Sequence, residues 1–178
     1  KLRLEKYLKK ISSKNFKVIV LRYPNIIGSD PLGKLGEKNN FISRIVPFFY
    51  KNILIKKKNL LYYDFKKRKF PQRSYMHVND ISNINIKIIN NLKKFNKNFY
   101  IFNISNKKQY SNFQVLEELS KLMNVNPKYE IKQISEKESI TQIYKSGDDI
   151  SKYISYKPRY LNLKKILKTN LKWFEKIY

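Results

Sequence analysis

The stretch from residue 17 to residue 28 reads KVIVLRYPNIIG. Its first part, residues 17–23, is an almost continuous apolar run with β-branched side chains, which predicts a strand buried on both faces of a parallel sheet. The chain then enters a loop, residues 25–40, that holds three of the four glycines. Open α/β sheets bind ligands at the carboxyl ends of their strands, so this loop is also the predicted binding region.

Strand and helix patterns alternate along the rest of the chain. Further strands are predicted at 59–64, 73–79, 99–104 and 129–134. Helices are predicted at 1–13, 40–51, 81–93, 111–124 and 163–177, with a short one after Asp149. Asp80 is the expected N-cap of the helix at 81–93, and Ser111 with Gln114 forms a capping box. The alternation predicts an α/β protein.

Composition limits the possible chemistry. The 178 residues carry a net charge of +26, and 42% of them are apolar, which is enough to bury a core. The sequence has no cysteine and one histidine, His77, which excludes disulfides, thiol catalysis and a multi-histidine metal site. No apolar run approaches the roughly 18 residues of a membrane span, so no membrane association is expected.

The positive charge comes mainly from lysine. The sequence has 33 lysines, 6 arginines and no alanine, which is typical of a biased composition. Proteins that read nucleic acids usually favour arginine for bidentate contacts, so we interpret the lysines as a solvated surface. A basic module that binds nucleic acid non-specifically remains the alternative, and it would show a steep salt dependence.

Arginine is therefore informative where it occurs. A guanidinium can hold a diphosphate through two parallel hydrogen bonds, which an ammonium group cannot. Arg22 and Arg73 both flank predicted strand ends that could face one crevice. The equally weighted alternative for Arg73 is an ion pair with Asp80 or Glu37.

Other polar residues favour structural roles. His77 has no acid or nucleophile close in sequence, so a packed, hydrogen-bonded ring is expected. The sequence contains no GxGxxG or Walker motif, and hence no visible loop for a cofactor phosphate. The last helix, 163–177, has an apolar stripe that fits a cover for the sheet better than a membrane-surface or calmodulin-target helix. No signal peptide follows Lys1, and we expect the chain to be cut from a longer protein.

Five motifs resemble, in order, those of one enzyme family. They are KLRLE at 1–5, LRYPNIIG at 21–28, GKLGE with NNFI at 33–42, RSYMHVND at 73–80 and FNI at 102–104. Together they are similar to motifs of the extended short-chain dehydrogenase/reductases, and within these to the UDP-glucose (UDP-galactose) 4-epimerases. The resemblance implies the C-terminal half of such an enzyme: the C-terminal part of a Rossmann-like parallel sheet plus a small α/β substrate-binding region.

The resemblance also implies domain boundaries, a cofactor and partners. Residues 1–28 would end the dinucleotide-binding domain, 29–79 would be a substrate-binding insertion, 80–105 would return to the Rossmann fold, and 106–178 would complete the substrate-binding region. NAD is the implied cofactor, and a nucleotide-sugar is the implied substrate. A homodimeric, cytoplasmic enzyme is expected, acting at C4 of the sugar.

Roles for individual residues follow from the same resemblance. Lys1 would be catalytic, hydrogen-bonding the nicotinamide ribose and lowering the pKa of a tyrosine four positions before it. Tyr23 would lie beside the nicotinamide. Asn25, Asn40 and Arg73 would bind the sugar and diphosphate, and Tyr62, within Leu60–Tyr63, would lie along the base.

Several departures from the family pattern leave the substrate open. Pro24 replaces an aromatic residue, and Ser74 replaces the aspartate before Tyr75. The segment that supplies a second diphosphate arginine in the family falls near Glu138–Gln142, which has none, and Lys137 or Lys145 is the expected substitute. Other nucleotide-sugar epimerases and the 4,6-dehydratases therefore remain alternatives.

Overall fold

The computed structural model describes residues 1–37, 44–106, 108–135 and 147–178. Its helices are α1 (Leu2–Ile11), α2 (Ile45–Leu54), α3 (Val78–Asn90), α4 (Asn112–Leu122) and α5 (Leu163–Ile177). Its strands are β1 (Val18–Arg22), β2 (Asn25–Ile27), β3 (Asn59–Tyr63), β4 (Gln72–His77), β5 (Phe99–Asn103), β6 (Gln109–Ser111) and β7 (Tyr129–Gln133). Single 3-10 turns lie at Leu92–Lys94 and Ile150–Lys152.

Parallel pairing dominates the sheets. Strand β1 pairs with β5, β2 with β4, and β3 with β7, all in parallel. Strand β6 adds to the other side of β4 in the antiparallel sense. These pairings, with helices between the strands, confirm the predicted α/β class.

Two apolar clusters form the core. One joins α2, β3, α4 and α5 around fully buried side chains such as Leu61, Leu116 and Phe174. The other packs α3 against β5 through Ile84, Tyr100 and Phe102. Helix α5 buries the predicted stripe (Leu163, Ile166, Leu167, Leu171 and Phe174), which confirms it as a cover for the fold.

The sequence prediction was wrong about the burial of β1. Only Val18 of this strand is buried, and the other four residues are half-buried. The reason is that, among the described residues, β1 has β5 as its one pairing partner. The prediction also missed β2 inside the presumed loop, because three residues following Pro24 are too few to give a periodic pattern.

The start of α3 was also predicted wrongly. The helix begins at Val78, and its N-cap is His77, whose Nδ1 accepts a hydrogen bond of 3.0 Å from the Asn79 N–H. Asp80 lies inside the first turn and is 1% exposed. Its two carboxylate oxygens instead accept hydrogen bonds from the backbone N–H groups of Arg159 and Tyr160, at 2.9 and 3.1 Å. Asp80 therefore anchors the segment before α5.

The capping predictions at two later helices are confirmed. Ser111 and Gln114 form the reciprocal capping box at the start of α4. The Asp149 carboxylate accepts a hydrogen bond from the Ser151 N–H at the 3-10 turn that follows it.

Candidate functional site

Strands β2 and β4 bring separate parts of the sequence into one cleft. In their parallel register Asn25 lies opposite Tyr75, two residues after Arg73. Asn25, Tyr75 and Arg73 all line a cleft of about 560 Å³, which we call cleft A. Tyr62, at the exposed end of β3, and Asn112, at the start of α4, complete its polar wall.

A second cleft, cleft B, has a volume of about 1200 Å³ and contains Lys1 and Tyr23. Lys1 is the N-cap residue of α1. The Tyr23 hydroxyl donates a 2.7 Å hydrogen bond to Asn85 Oδ1. Burial raises the pKa of Tyr23, and the Asn85 hydrogen bond partly offsets that effect. Tyr23 is therefore a neutral phenol with its ring fixed at the wall of cleft B.

The two clefts share a wall. Asn25, Ile26, Ile27, Glu37 and Arg44 line both of them. The short strand β2 thus separates the cleft of Lys1 and Tyr23 from the cleft of Arg73. A molecule in cleft A and one in cleft B would both meet the same three-residue strand.

Arg22 and Arg73 do not face one crevice, contrary to the prediction. Arg22 lines cleft B and Arg73 lines cleft A. Arg22 donates to both oxygens of Glu5, from Nε at 3.0 Å and from a terminal nitrogen at 2.6 Å. This hydrogen-bonded pair lowers the pKa of Glu5. Arg22 ends β1, which pairs with β5, whereas Arg73 lies on β4, which pairs with β2 and β6, so the two arginines belong to different sheets.

The ion pairs suggested as alternatives for Arg73 are not seen among the described residues. Glu37 pairs with Arg44, and Asp80 binds backbone amides. Arg73 lies on β4 between the two neighbouring strands, and one of its terminal nitrogens donates to the Gln72 carbonyl at 2.9 Å. Its positive charge acts on Tyr75, whose pKa burial raises to about 12. Arg73 and a neutral phenol therefore line cleft A together.

The loop after β2 is held from the opposite end of the chain. Gly28, at φ +92, and Ser29 donate their N–H groups to Asn170 Oδ1 and Thr169 Oγ1, each at 3.0 Å. Trp173 Nε1 donates to the Glu37 carbonyl at 2.9 Å. Helix α5 therefore fixes both ends of the described loop and, through it, the wall between the clefts.

His77 packs against Gly28 of the same loop. It is a packed, hydrogen-bonded ring, which is the structural role that the sequence predicted. Its ring is fully buried and stacks on Tyr160, with ring centroids 3.6 Å apart. Nδ1 accepts from Asn79, so the proton of the neutral ring lies on Nε2, 3.0 Å from Thr169 Oγ1. Burial lowers the pKa of His77 to about 4, which favours this neutral form.

Arg44 is the cleft residue that sequence reasoning missed. It is the N-cap of α2, lines both clefts, and places Nε 3.4 Å from Glu37 Oε1. The scarcity of arginine, which directed attention to Arg73, applied equally to Arg44. Asn40, Lys137, Lys145 and the segment Glu138–Gln142 lie outside the described residues.

Other kinds of site are not found in the described part of the chain. Within those residues no group of three or more histidine or carboxylate side chains is placed to hold a metal ion. None of the described helices is both long and apolar enough to cross a membrane.

A family model described as the NAD dependent epimerase/dehydratase family matches residues 1–105, more than half of the chain. The chain belongs to this family. That result confirms the resemblance seen in the five motifs. The family is NAD-dependent, which agrees with the expected cofactor. By sequence, none of the curated proteins matches the chain.

Solved structures with the same fold include epimerases and a dehydratase. The UDP-glucose 4-epimerase from Bifidobacterium longum, in complex with NAD+ and UDP, has a TM-score of 0.79 at 22% identity, covering 98% of this chain and 52% of its own. A UDP-glucose-4-epimerase from Stenotrophomonas maltophila with bound NAD and formylated UDP-arabinopyranose has a TM-score of 0.84 at 16% identity, covering 99% and 54%. The dTDP-glucose 4,6-dehydratase from Bacillus anthracis, in complex with NAD, has a TM-score of 0.69 at 21% identity, covering 98% and 49%.

The chain therefore spans about half the length of these structures. At identities near 20% the likeness shows the fold, and it confirms the predicted Rossmann-like α/β architecture. Both epimerases and a dehydratase share that fold, so the fold does not distinguish between them, and the epimerase/dehydratase family is given by the family model.

Proposed function

We propose that this chain is the substrate-binding half of an NAD-dependent nucleotide-sugar epimerase acting at C4, of the UDP-glucose/UDP-galactose type. The observation that carries the proposal is the shared wall of the two clefts. Asn25 lies between a cleft lined by Arg73 and Tyr62 and a cleft lined by Lys1 and Tyr23. A sugar at that wall would have its diphosphate on one side and a nicotinamide on the other.

Cleft A fits a nucleoside diphosphate. The Arg73 guanidinium offers several N–H donors to phosphate oxygens, and the carboxamides of Asn25 and Asn112 add neutral donors and acceptors. Tyr62 presents an aromatic ring that is 41% exposed, and such a ring can stack on a base. In this proposal Asn25, Asn40, Tyr62 and Arg73 keep the substrate-binding roles given by the family motifs.

Cleft B fits the nicotinamide end of NAD. Tyr23 supplies a fixed, half-buried ring, and Lys1 supplies a cation at the cleft wall. NAD held beside Tyr23 and Lys1 would supply reversible hydride transfer at C4 of the sugar. Lys1 would hydrogen-bond the ribose and favour the phenolate of a neighbouring tyrosine, because a nearby cation lowers the pKa of a phenol. We expect a homodimeric, cytoplasmic enzyme.

The fit to NAD is partial in one respect. The sequence contains no GxGxxG loop for the cofactor pyrophosphate. We therefore expect the 178-residue chain alone to bind UDP, to bind NAD weakly and to show no interconversion of UDP-glucose and UDP-galactose. Turnover by this chain alone would contradict its assignment as one half of the enzyme.

Titration calorimetry with UDP tests the proposal. The Arg73→Ala variant should bind UDP more weakly by about 1.5–3 kcal/mol, the range for hydrogen bonds to charged groups, or roughly 10- to 150-fold. Arg3→Ala removes an exposed arginine of α1 that lines neither cleft, so it controls for loss of net charge. Absence of UDP binding, or equal weakening in both variants, would refute the proposal.

The same titrations distinguish the other candidates. Preference for dTDP-glucose over UDP-glucose would favour the dehydratase branch, which one of the similar structures represents. Binding of duplex DNA with a steep salt dependence, unaffected by Arg73→Ala, would favour the basic nucleic-acid module. The convergence of Asn25 and Arg73 on one cleft favours the nucleotide-sugar enzyme.

A further inference from the structure

Two of the chain's arginines line cleft A. All six arginines are among the described residues, and of these only Arg44 and Arg73 line that cleft. Arg22 lines cleft B, and Arg159 lines a separate surface cleft with Lys87. A diphosphate carries more charge than one guanidinium can neutralise, so a second arginine lining the same cleft has a direct chemical use.

The position of Arg44 is set by the backbone. It precedes α2 in an extended conformation, with φ −117 and ψ 126, and its side chain caps no helix N–H group. The next three residues, Ile45–Pro47, also line cleft A. Arg44 is thus attached to a rigid element at the cleft, while its side chain remains 59% exposed and able to change partner.

Glu37 is the carboxylate that pairs with Arg44 in the structure. Arg44 Nε lies 3.4 Å from Glu37 Oε1, and the Glu37 side chain is 37% exposed. Half-exposed pairs at this separation are weak, because water screens both charges. A diphosphate offers more acceptor oxygens and more negative charge than one carboxylate, so it can displace Glu37 from Arg44.

We propose that Arg44 is a second diphosphate-binding guanidinium and that Glu37 is a competing carboxylate that holds it when the cleft is empty. The inference rests on the proposed function and deepens it. Because both residues also line cleft B, the exchange would occur at the wall between substrate and cofactor. Glu37 then lowers affinity in two ways: it occupies Arg44, and it repels the ligand.

Calorimetric titration of the chain with UDP and with uridine tests this exchange. Arg44→Ala should weaken UDP binding at least tenfold and leave uridine binding unchanged, because uridine has no phosphate. Glu37→Gln should tighten UDP binding several-fold, and this gain should shrink in the Arg44→Ala background. Arg44→Lys keeps the charge without the planar fork, so its UDP affinity should lie between wild type and Arg44→Ala.

The possible failures can be told apart. If wild type binds UDP and Arg73→Ala weakens that binding, but Arg44→Ala and Arg44→Lys do not, only the Arg44 inference is overturned. If Glu37→Gln increases UDP affinity equally in the wild-type and Arg44→Ala backgrounds, Glu37 acts only by repelling the ligand. That result would overturn the proposed exchange of Arg44 between Glu37 and the diphosphate. If wild type does not bind UDP, both the proposed function and this inference fail. Circular dichroism of each variant checks that it is folded.

Discussion

Lowering the pH from 8 to 5 should destabilise the folded chain through one buried imidazole. His77 is fully buried, stacks on Tyr160, and donates from Nε2 towards Thr169, with its pKa lowered to about 4 by burial. In the unfolded chain the same group has its ordinary pKa of 6.5. Below pH 6.5 the unfolded chain therefore takes up a proton that the folded chain does not.

The sign and size follow from that difference. Stability from the neutral ring is fully present above pH 6.5 and is lost as the pH falls towards 4. The free energy of unfolding should drop by about 2 kcal/mol between pH 8 and pH 5, and by about 3 kcal/mol at pH 4. The carboxyl groups with lowered pKa, such as Glu5 and Asp148, start from 4.5 and 3.8, so they contribute mainly below this window.

Urea unfolding, repeated every half pH unit from pH 8 to pH 4, measures this loss in the free energy of unfolding. The matched control is His77→Asn, which cannot titrate but keeps an acceptor for the Asn79 N–H at the N-cap of α3. This variant should be less stable at pH 8 and should lack most of the slope between pH 7 and pH 5. Equal slopes for the two proteins over that range would refute the assignment of the effect to His77.

Two further predictions concern local geometry. Gly28→Ala should destabilise the chain by roughly 2–4 kcal/mol in urea unfolding, because a methyl group at φ +92 would overlap the buried His77 ring. Gly33→Ala is the control, and it should cost less because Gly33, at φ +65, lies beside the Lys172 side chain. Equal losses of stability in the two variants would contradict the packing argument. Ser111→Ala should lower the free energy of unfolding by about 1 kcal/mol, because it removes the acceptor that lies 3.1 Å from the Gln114 N–H. Ser111→Asp keeps an acceptor at this position and should retain most of the wild-type stability. An unchanged free energy of unfolding in Ser111→Ala would show that the capping box is unimportant.

The sequence predicted best the elements that carry a strong local signal. The final helix, 163–177, was placed correctly because its apolar stripe has helical periodicity over fifteen residues. The capping box at Ser111 was found because both partners lie within four residues. Neither feature needs information from elsewhere in the chain.

Features that depend on distant contacts were missed or misread. Asp80 resembles an N-cap in sequence, but its partners are the amides of Arg159 and Tyr160, about 80 residues away. Strand β2 forms because it pairs with β4, and three residues are too few to show a strand pattern in the sequence. Composition directed attention to Arg73, while the position of Arg44 at the cleft became visible only when α2 was placed against it.

The hold of α5 on the loop after β2 has a consequence for the order of events during synthesis. The hydrogen bonds from Gly28 and Ser29 to Asn170 and Thr169 join residues 142 and 140 positions apart. A ribosome makes a chain from its amino end, so the wall between the two clefts is translated before α5, and these hydrogen bonds cannot form until α5 has been made. Until then the N–H groups of Gly28 and Ser29 lack these two acceptors. If the proposed function holds, we expect a nascent chain arrested before residue 163 not to retain UDP.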